Sequence, residues 1–306
     1  MNHHQPFFVI GAPGSGTSML QAALNRLPHI VMVPDTGFFT LLRHSRRKQQ
    51  IHWSRIEDRL QIRVASPNCR IRAGAGAREQ FERIVNAYLD RINCRGITHF
   101  GEGSADLQCR IPLIMQTFPE AKLVLIYRDG RDVALNLANV PGTRKSLYGH
   151  FLTWLKHYRI QRRFLQQHPQ RVFCVRYEDL VRNTGAELQL IIEFLGVDCD
   201  PGIAERCDNQ EGNPDRELSG KNNVREAANP CGSCPDLSLR ELMYLERWGG
   251  WALRELHYEC AAEIRGLLPS WQIPMIYGRF AFEAAAQMLE RRPNEQARTC
   301  FINPAE

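Results

Sequence analysis

Apolar positions along this chain follow two rhythms. Unbroken apolar runs bounded by turn residues predict buried strands over Gln5 to Ile10, Thr98 to Glu102, Ala121 to Tyr127 and Arg171 to Tyr177. Between them, apolar residues recur three and four positions apart. That spacing predicts a helix over Thr17 to Leu27, with Met19, Leu20, Ala23, Leu24 and Leu27 on one face. It also predicts helices over Arg78 to Arg91, Gly130 to about Asn139, Leu147 to Gln167, Ala186 to Leu195 with a stop at Gly196, and Leu237 to Leu256. Helical stretches near 260–268 and 279–291 complete the pattern. Strands that alternate with helices predict an α/β fold, a parallel β-sheet flanked by helices on both faces. Ligands of such sheets sit at the carboxyl ends of the strands, which directs attention to the loops after Ile10, Tyr127 and Tyr177.

Composition narrows the class. Of 306 residues, 43% are hydrophobic and 24% charged, which suits a packed globule and excludes a collagen-like or wholly disordered chain. Every long apolar stretch is broken by a charge, so no membrane span is expected. The run Phe7 to Ile10 is too short for a signal peptide, and a cytoplasmic protein is expected. The net charge of +6 permits an anionic ligand without requiring one. Its distribution adds more: Arg43, Arg46, Arg47, Lys48, Arg55, Arg59 and Arg63 cluster against only Glu57 and Asp58. They form either a lid over an anion or an exposed helix face. The Cys231-Gly-Ser-Cys234 spacing lacks the second ligand pair of a structural zinc site, so it reads as a loop and no metal is expected. Residues 200–236, rich in Gly, Pro, Asn and charge, read as either a mobile or a ligand-covering loop.

The most informative stretch is Gly11-Ala12-Pro13-Gly14-Ser15-Gly16-Thr17-Ser18, set between a strand and a helix. Glycines let backbone N–H groups converge on an anion, and the following helix adds its dipole. Gly-Ala-Pro-Gly-Ser-Gly looks like the adenylate kinase form of the Walker A loop. Thr17, however, stands where that loop needs its Lys, so ATP-driven phosphoryl transfer loses its local cation.

Pro13 to Ser18 also resembles the first loop of the sulfotransferases that use 3′-phosphoadenosine 5′-phosphosulfate (PAPS), Pro-(Arg/Lys)-Ser-Gly-Thr-(Thr/Ser). Only Gly14 departs, at the basic position. Leu123 to Ala134, with Arg128-Asp129-Gly130-Arg131-Asp132, is similar to the family's second motif. Val175-Arg176-Tyr177-Glu178-Asp179-Leu180 resembles its Tyr-Glu-Asp-Leu strand end, and Gly101 to Ala105 resembles its Gly-Glu-Lys-(Ser/Thr)-Pro segment. The resemblance runs in consistent order over roughly 6–258. It implies a P-loop NTPase-like sulfotransferase fold in a domain at 1–258, with a helical extension at 259–306.

The resemblance further implies PAPS as cofactor, with no metal, and adenosine 3′,5′-bisphosphate as product. Pro13, Gly14, Ser15, Gly16, Thr17 and Ser18 would hold the 5′-phosphosulfate, Arg128 and Asn136 the ribose 3′-phosphate, and Tyr177 and Lys221 would contribute to the cofactor site. Asp35 maps to the catalytic base, with N-capping of a helix starting near Thr36 as its bland reading. His29 and His44 are alternative bases. Family cations are missing at Gly14 and Gly103; Arg46, Arg47, Lys48, Lys221 and Arg225 are the candidates to replace them. The acceptor would be a hydroxyl of a sugar, peptide tyrosine or small alcohol, with no nucleic-acid or membrane partner. Phe151, Trp154 and Tyr158 either line an acceptor pocket or belong to the core. The alternatives are a non-catalytic bisphosphate-binding protein of the same fold and a degenerate P-loop nucleotide kinase.

Overall fold

The computed structural model describes residues 4–42, 49–50, 53–64, 70–71, 75–143, 145–199, 202–203 and 237–260. The chain divides into two compact units, Met1–Tyr127 with Ile160–Arg225, and Arg128–Arg159 with Glu226–Glu306.

The first unit is built on five parallel strands, β1 (Gln5–Gly11), β2 (Ile30–Val33), β5 (His99–Gly103), β6 (Lys122–Tyr127) and β7 (Val172–Arg176), in the order β2-β5-β1-β6-β7. Two short strands, β3 (Gln49–Gln50) and β4 (Arg70–Ile71), form a separate antiparallel ribbon. The helices are α1 (Thr17–Leu24), α2 (Phe38–Leu41), α3 (Trp53–Leu60), α4 (Ala75–Arg91), α5 (Ile111–Thr117), α6 (Gly130–Ala138), α7 (Leu147–Gln167), α8 (Tyr177–Arg182), α9 (Thr184–Leu195) and α10 (Leu239–Glu255).

β1 lies at the centre of the sheet and its side chains divide by parity. Phe7 and Val9 enter one core with Leu20 and Leu24 of α1 and Leu188, Ile191 and Leu195 of α9. Phe8 points to the other face, where its ring meets those of Phe39, Phe81 and Phe118 at 5.5, 6.2 and 5.9 Å. A strand covered on both faces needs no polar alternation, which is why it appears in the sequence as an unbroken apolar run.

The ends of several elements differ from the sequence expectation for local reasons. α1 stops at Leu24 rather than Leu27, where the ladder tightens to Arg26 N–H on Ala23 O at 3.2 Å and Leu27 N–H on Leu24 O at 3.1 Å, and the Asn25 carboxamide oxygen accepts the Met32 N–H at 2.7 Å. β7 stops at Arg176, and Tyr177 opens α8 with Glu178 and Asp179 in the first turn, where the helix dipole favours carboxylates. The helix expected near Thr36 begins at Phe38, with Gly37 in the left-handed conformation before it. Asp35 accepts the Gly37 N–H at 2.9 Å instead of capping the helix itself. Gly196 ends α9 with φ of 79°, as its sequence position predicts. The strand Ile30–Val33 and the helix Ile111–Thr117 were not anticipated.

In the second unit, Asp129 caps α6 by accepting the Arg131 N–H at 2.8 Å. The same carboxylate holds the Arg131 guanidinium at 2.6 Å, and Glu246 of α10 holds its other nitrogen at 2.6 Å. Phe151, Trp154 and Tyr158 stack along one face of α7, ring centroids 5.3 and 5.9 Å apart. All three are buried, so they are core residues. No helix among the described residues is long and apolar enough to cross a membrane.

Candidate functional site

β1 feeds the glycine-rich turn directly into α1. Ser15 closes the turn through its N–H to Ala12 O at 3.0 Å, and Gly14 and Gly16 take φ of 79° and 91°. Gly16, the N-cap of α1, supplies no side-chain cap to the first turn of the helix. The Ser15 side chain is 1% exposed, and its hydroxyl has no hydrogen-bond partner. A buried hydroxyl is rarely left unpaired in a finished site. Beside two left-handed glycines and an uncapped helix, it forms a donor set suited to phosphate or sulfate oxygens, and the residues fit an anionic ligand.

The floor of this turn comes from the far part of the chain. A Cβ on Gly16 would lie 2.3 Å from Tyr177 Cδ2, so the tyrosine ring and the loop backbone are in direct contact. Tyr177 is buried in the core cluster with Leu180 and Val175. Its placement supports the loop from beneath. Pro13, Gly14 and Thr17 are half-buried and Ser18 is exposed. At Gly103 the space beside the backbone is taken by Gln21 of α1, whose side-chain carbon would meet a Cβ there at 2.5 Å. Gln21 donates to Thr17 O at 3.2 Å, is 5% exposed, and its Oε1 has no partner.

A second group of polar side chains forms where β2 and β5 end side by side, with Val33 and Glu102 in register. Glu102 is fully buried. Its two oxygens accept from Thr36, one from the backbone N–H at 3.1 Å and one from the hydroxyl at 3.0 Å. Burial, and then the negative charge of Asp35, push the Glu102 carboxyl well above the ordinary glutamate range. Asp35 is held on three sides: its Oδ1 by Gly37 N–H, its Oδ2 by Ser104 Oγ at 3.4 Å, and the same oxygen by Arg59 of α3 in an ion pair of 3.6 Å. Arg59 also donates to the Asp35 carbonyl at 2.9 Å. The Asp35 and Arg59 side chains remain 42% and 54% exposed, so the carboxylate is reachable from solvent.

In the second unit, Arg128 follows directly on the last residue of β6 and is buried. With its amide oxygen turned to the guanidinium, Asn136 accepts from Arg128 Nη2 at 2.8 Å and Nη1 at 3.2 Å. The Asn136 amide nitrogen then remains a donor, and the pair offers positive charge and N–H groups together. Asp129 gives its carboxylate to Arg131.

The structure therefore brings Ser15, Gly16 and Tyr177 together, gathers Asp35 with Arg59, Thr36, Glu102 and Ser104, and joins Arg128 to Asn136. Arg59 is the described member of the basic 43–63 stretch that reaches a candidate catalytic residue. His29 directs its Nδ1 to Gly96 O at 3.0 Å, at the opposite end of β2 from Asp35. Lys221, Arg225, Arg46, Arg47, Lys48, His44, Cys231, Cys234 and the tail from 261 lie outside the described residues. Sequence reasoning missed the contact of Gln21 with Gly103 and the grip of Glu102 on Thr36. The signal for the latter was present in the Gly-Glu-x-Ser segment, but nothing local identified its partner. Among the described residues no group of three or more His, Cys, Asp and Glu side chains is close enough to hold a metal ion.

A five-stranded parallel sheet whose central strand runs through a glycine-rich, lysine-free turn into a helix carries the site. The model of the sulfotransferase family matches residues 6–201, well over half of the chain, and the chain belongs to that family. Its fold is similar to that of the sulfotransferase domain from the curacin biosynthetic pathway, with TM-score 0.55 and 15% identity over 85% of this chain and 100% of that one. It is also similar to sulfotransferase STF9 from Mycobacterium avium, with TM-score 0.51 and 14% identity over 85% of this chain and 79% of that one. At these identities the likeness concerns the fold.

Proposed function

We propose that the protein transfers a sulfuryl group from PAPS to a hydroxyl acceptor. The observation that carries this reading is the buried, unpartnered Ser15 hydroxyl inside a loop that lacks the kinase lysine. When bound, PAPS supplies the sulfuryl group and the bisphosphate that leaves. Ser15 and the N–H groups from Gly14 to Ser18 would hold the 5′-phosphosulfate end and would supply hydrogen-bond donors to the leaving phosphate. Arg128 and Asn136 hold the 3′-phosphate. Asp35 takes the proton of the acceptor hydroxyl, and Arg59 fixes the orientation of its carboxylate. Lys221, from the 200–236 loop, is the candidate cation for the cofactor phosphates.

A second reading, a bisphosphate-binding protein without catalysis, is favoured by one observation. Gly14 carries no cation, and the space at Gly103 is filled by neutral Gln21. Calorimetry with adenosine 3′,5′-bisphosphate and with AMP tests the common ground. Preference for the bisphosphate is expected, and absence of binding or of preference overturns both readings. Radiolabelled PAPS offered with sugar, phenol and small-alcohol acceptors separates them: sulfated product supports transfer, and silence across the panel supports the binding protein.

A further inference from the structure

Arg128 is held by more than Asn136. Its backbone carbonyl accepts the indole N–H of Trp154 at 3.2 Å, and both groups are buried. Two residues on, Gly130 lies so close to the same indole that a Cβ would stand 2.4 Å from Trp154 Cδ2. The indole therefore touches both ends of the Arg128-Asp129-Gly130 turn. It is itself fixed: Phe151 and Tyr158 stack on either side of it along α7, with interplanar angles of 26° and 8°. Phe151 is in turn pressed against Gly249 of α10, where a Cβ would lie 2.4 Å from the ring. A buried tryptophan with its N–H satisfied and two aromatic rings stacked against it has little freedom.

We propose that Trp154 is the positioning residue for Arg128, and that this contact sets how strongly the protein prefers a nucleotide bearing a 3′-phosphate over one without it. Trp154 touches no phosphate. It fixes the main chain from which the Arg128 guanidinium projects, and a charge-assisted contact tolerates little displacement of its donor. Asn136 orients the guanidinium from the helix side, while the indole sets where the side chain begins. The inference rests on the assignment of Arg128 to the 3′-phosphate.

Two variants strike the contact from opposite sides. Trp154→Phe removes the N–H donor. Gly130→Ala leaves the indole intact and pushes the turn away from it. Calorimetry on the full chain, with adenosine 3′,5′-bisphosphate and with AMP, reads the ratio of the two affinities. AMP has no 3′-phosphate, so it serves as the internal control. Both variants are expected to bind the bisphosphate about tenfold more weakly and AMP unchanged. Equal losses for both nucleotides, or no change for either, overturn the proposal. Should Trp154→Phe melt below the assay temperature, Gly130→Ala decides the question by the same ratio. A wild-type protein with no preference for the bisphosphate overturns the Arg128 assignment itself, which separates that failure from the failure of Trp154's role.

Discussion

Thr36 donates both its backbone N–H and its hydroxyl to Glu102, one to each carboxyl oxygen, across the ends of two neighbouring parallel strands. Asp35 precedes Thr36, and Ser104, two residues after Glu102, donates to Asp35. The segment Asp35-Thr36-Gly37 is thus pinned to the end of β5 through both chains of contacts. Glu102→Ala leaves a buried N–H and a buried hydroxyl unpaired and is expected to destabilise the protein by about 2–4 kcal/mol. Glu102→Gln keeps an acceptor and costs less. Urea unfolding of the two variants measures the difference.

The raised pKa of Glu102 gives a pH dependence with a defined direction. Its carboxyl is held neutral by burial and by Asp35 beyond the ordinary glutamate value of 4.5. The unfolded chain releases this proton first, so the contribution to stability is full below about pH 4.5 and declines as pH rises through the folded-state value. Glu102→Gln cannot ionise, and its stability curve is expected to be flatter than that of wild type on the alkaline side of pH 4.5. A parallel decline in both proteins would refute this.

His157 acts in the opposite sense. Burial, then the charges of Lys156 and Lys145, lower it to about 4. The unfolded histidine takes up a proton near its ordinary value of 6.5, so this contribution is present above that pH and is lost as pH falls towards 4. The loss amounts to up to about 3 kcal/mol. His157→Gln is expected to remove this part of the acid limb in thermal melts recorded between the two values.

Gly16 admits no side chain. Its φ of 91° disfavours every other residue, and a Cβ would strike the Tyr177 ring. Gly16→Ala is expected to cost about 2 kcal/mol or more and to abolish bisphosphate binding. Tyr177→Phe keeps the ring and should leave binding within about twofold, whereas Tyr177→Ala opens a cavity costing about 3–5 kcal/mol. Calorimetry and melting curves on the three variants test the supporting role of the ring. A large loss of binding in Tyr177→Phe would instead give the hydroxyl a direct role.

Arg59→Ala is expected to change stability by less than about 1 kcal/mol, because its ion pair with Asp35 is largely exposed. Its effect should fall on turnover. Once an acceptor is known, kcat should drop about tenfold or more with little change in bisphosphate affinity. Loss of affinity in place of turnover would remove Arg59 from the neighbourhood of the reaction.

Most of the sheet and the glycine-rich turn were legible in the sequence because both are written locally. Phe7 to Ile10 is buried on both faces, and the glycines of the turn sit next to it. Leu147 to Gln167 was legible for the same reason, a long uninterrupted helical period. Ile30–Val33 was not, since four apolar residues carry no period that separates strand from helix. The surroundings of Asp35 were hidden for another reason. Arg59, Glu102 and Ser104 reach it from elements far along the chain, and no spacing rule encodes such meetings. The place of Gln21 was hidden in the same way, because nothing in the helix spacing points to the room that Gly103 leaves it.

The contact of Gly16 with Tyr177 also orders events during synthesis. β1 emerges first, yet its two neighbours in the sheet, β5 and β6, follow much later, and the ring beneath its loop later still. Closing such distant contacts is slow compared with forming helices. The loop is therefore expected to gain its shape only after Tyr177 has left the ribosome. Nascent chains released short of α8 should carry the whole Gly11–Gly16 sequence and still fail to retain the bisphosphate.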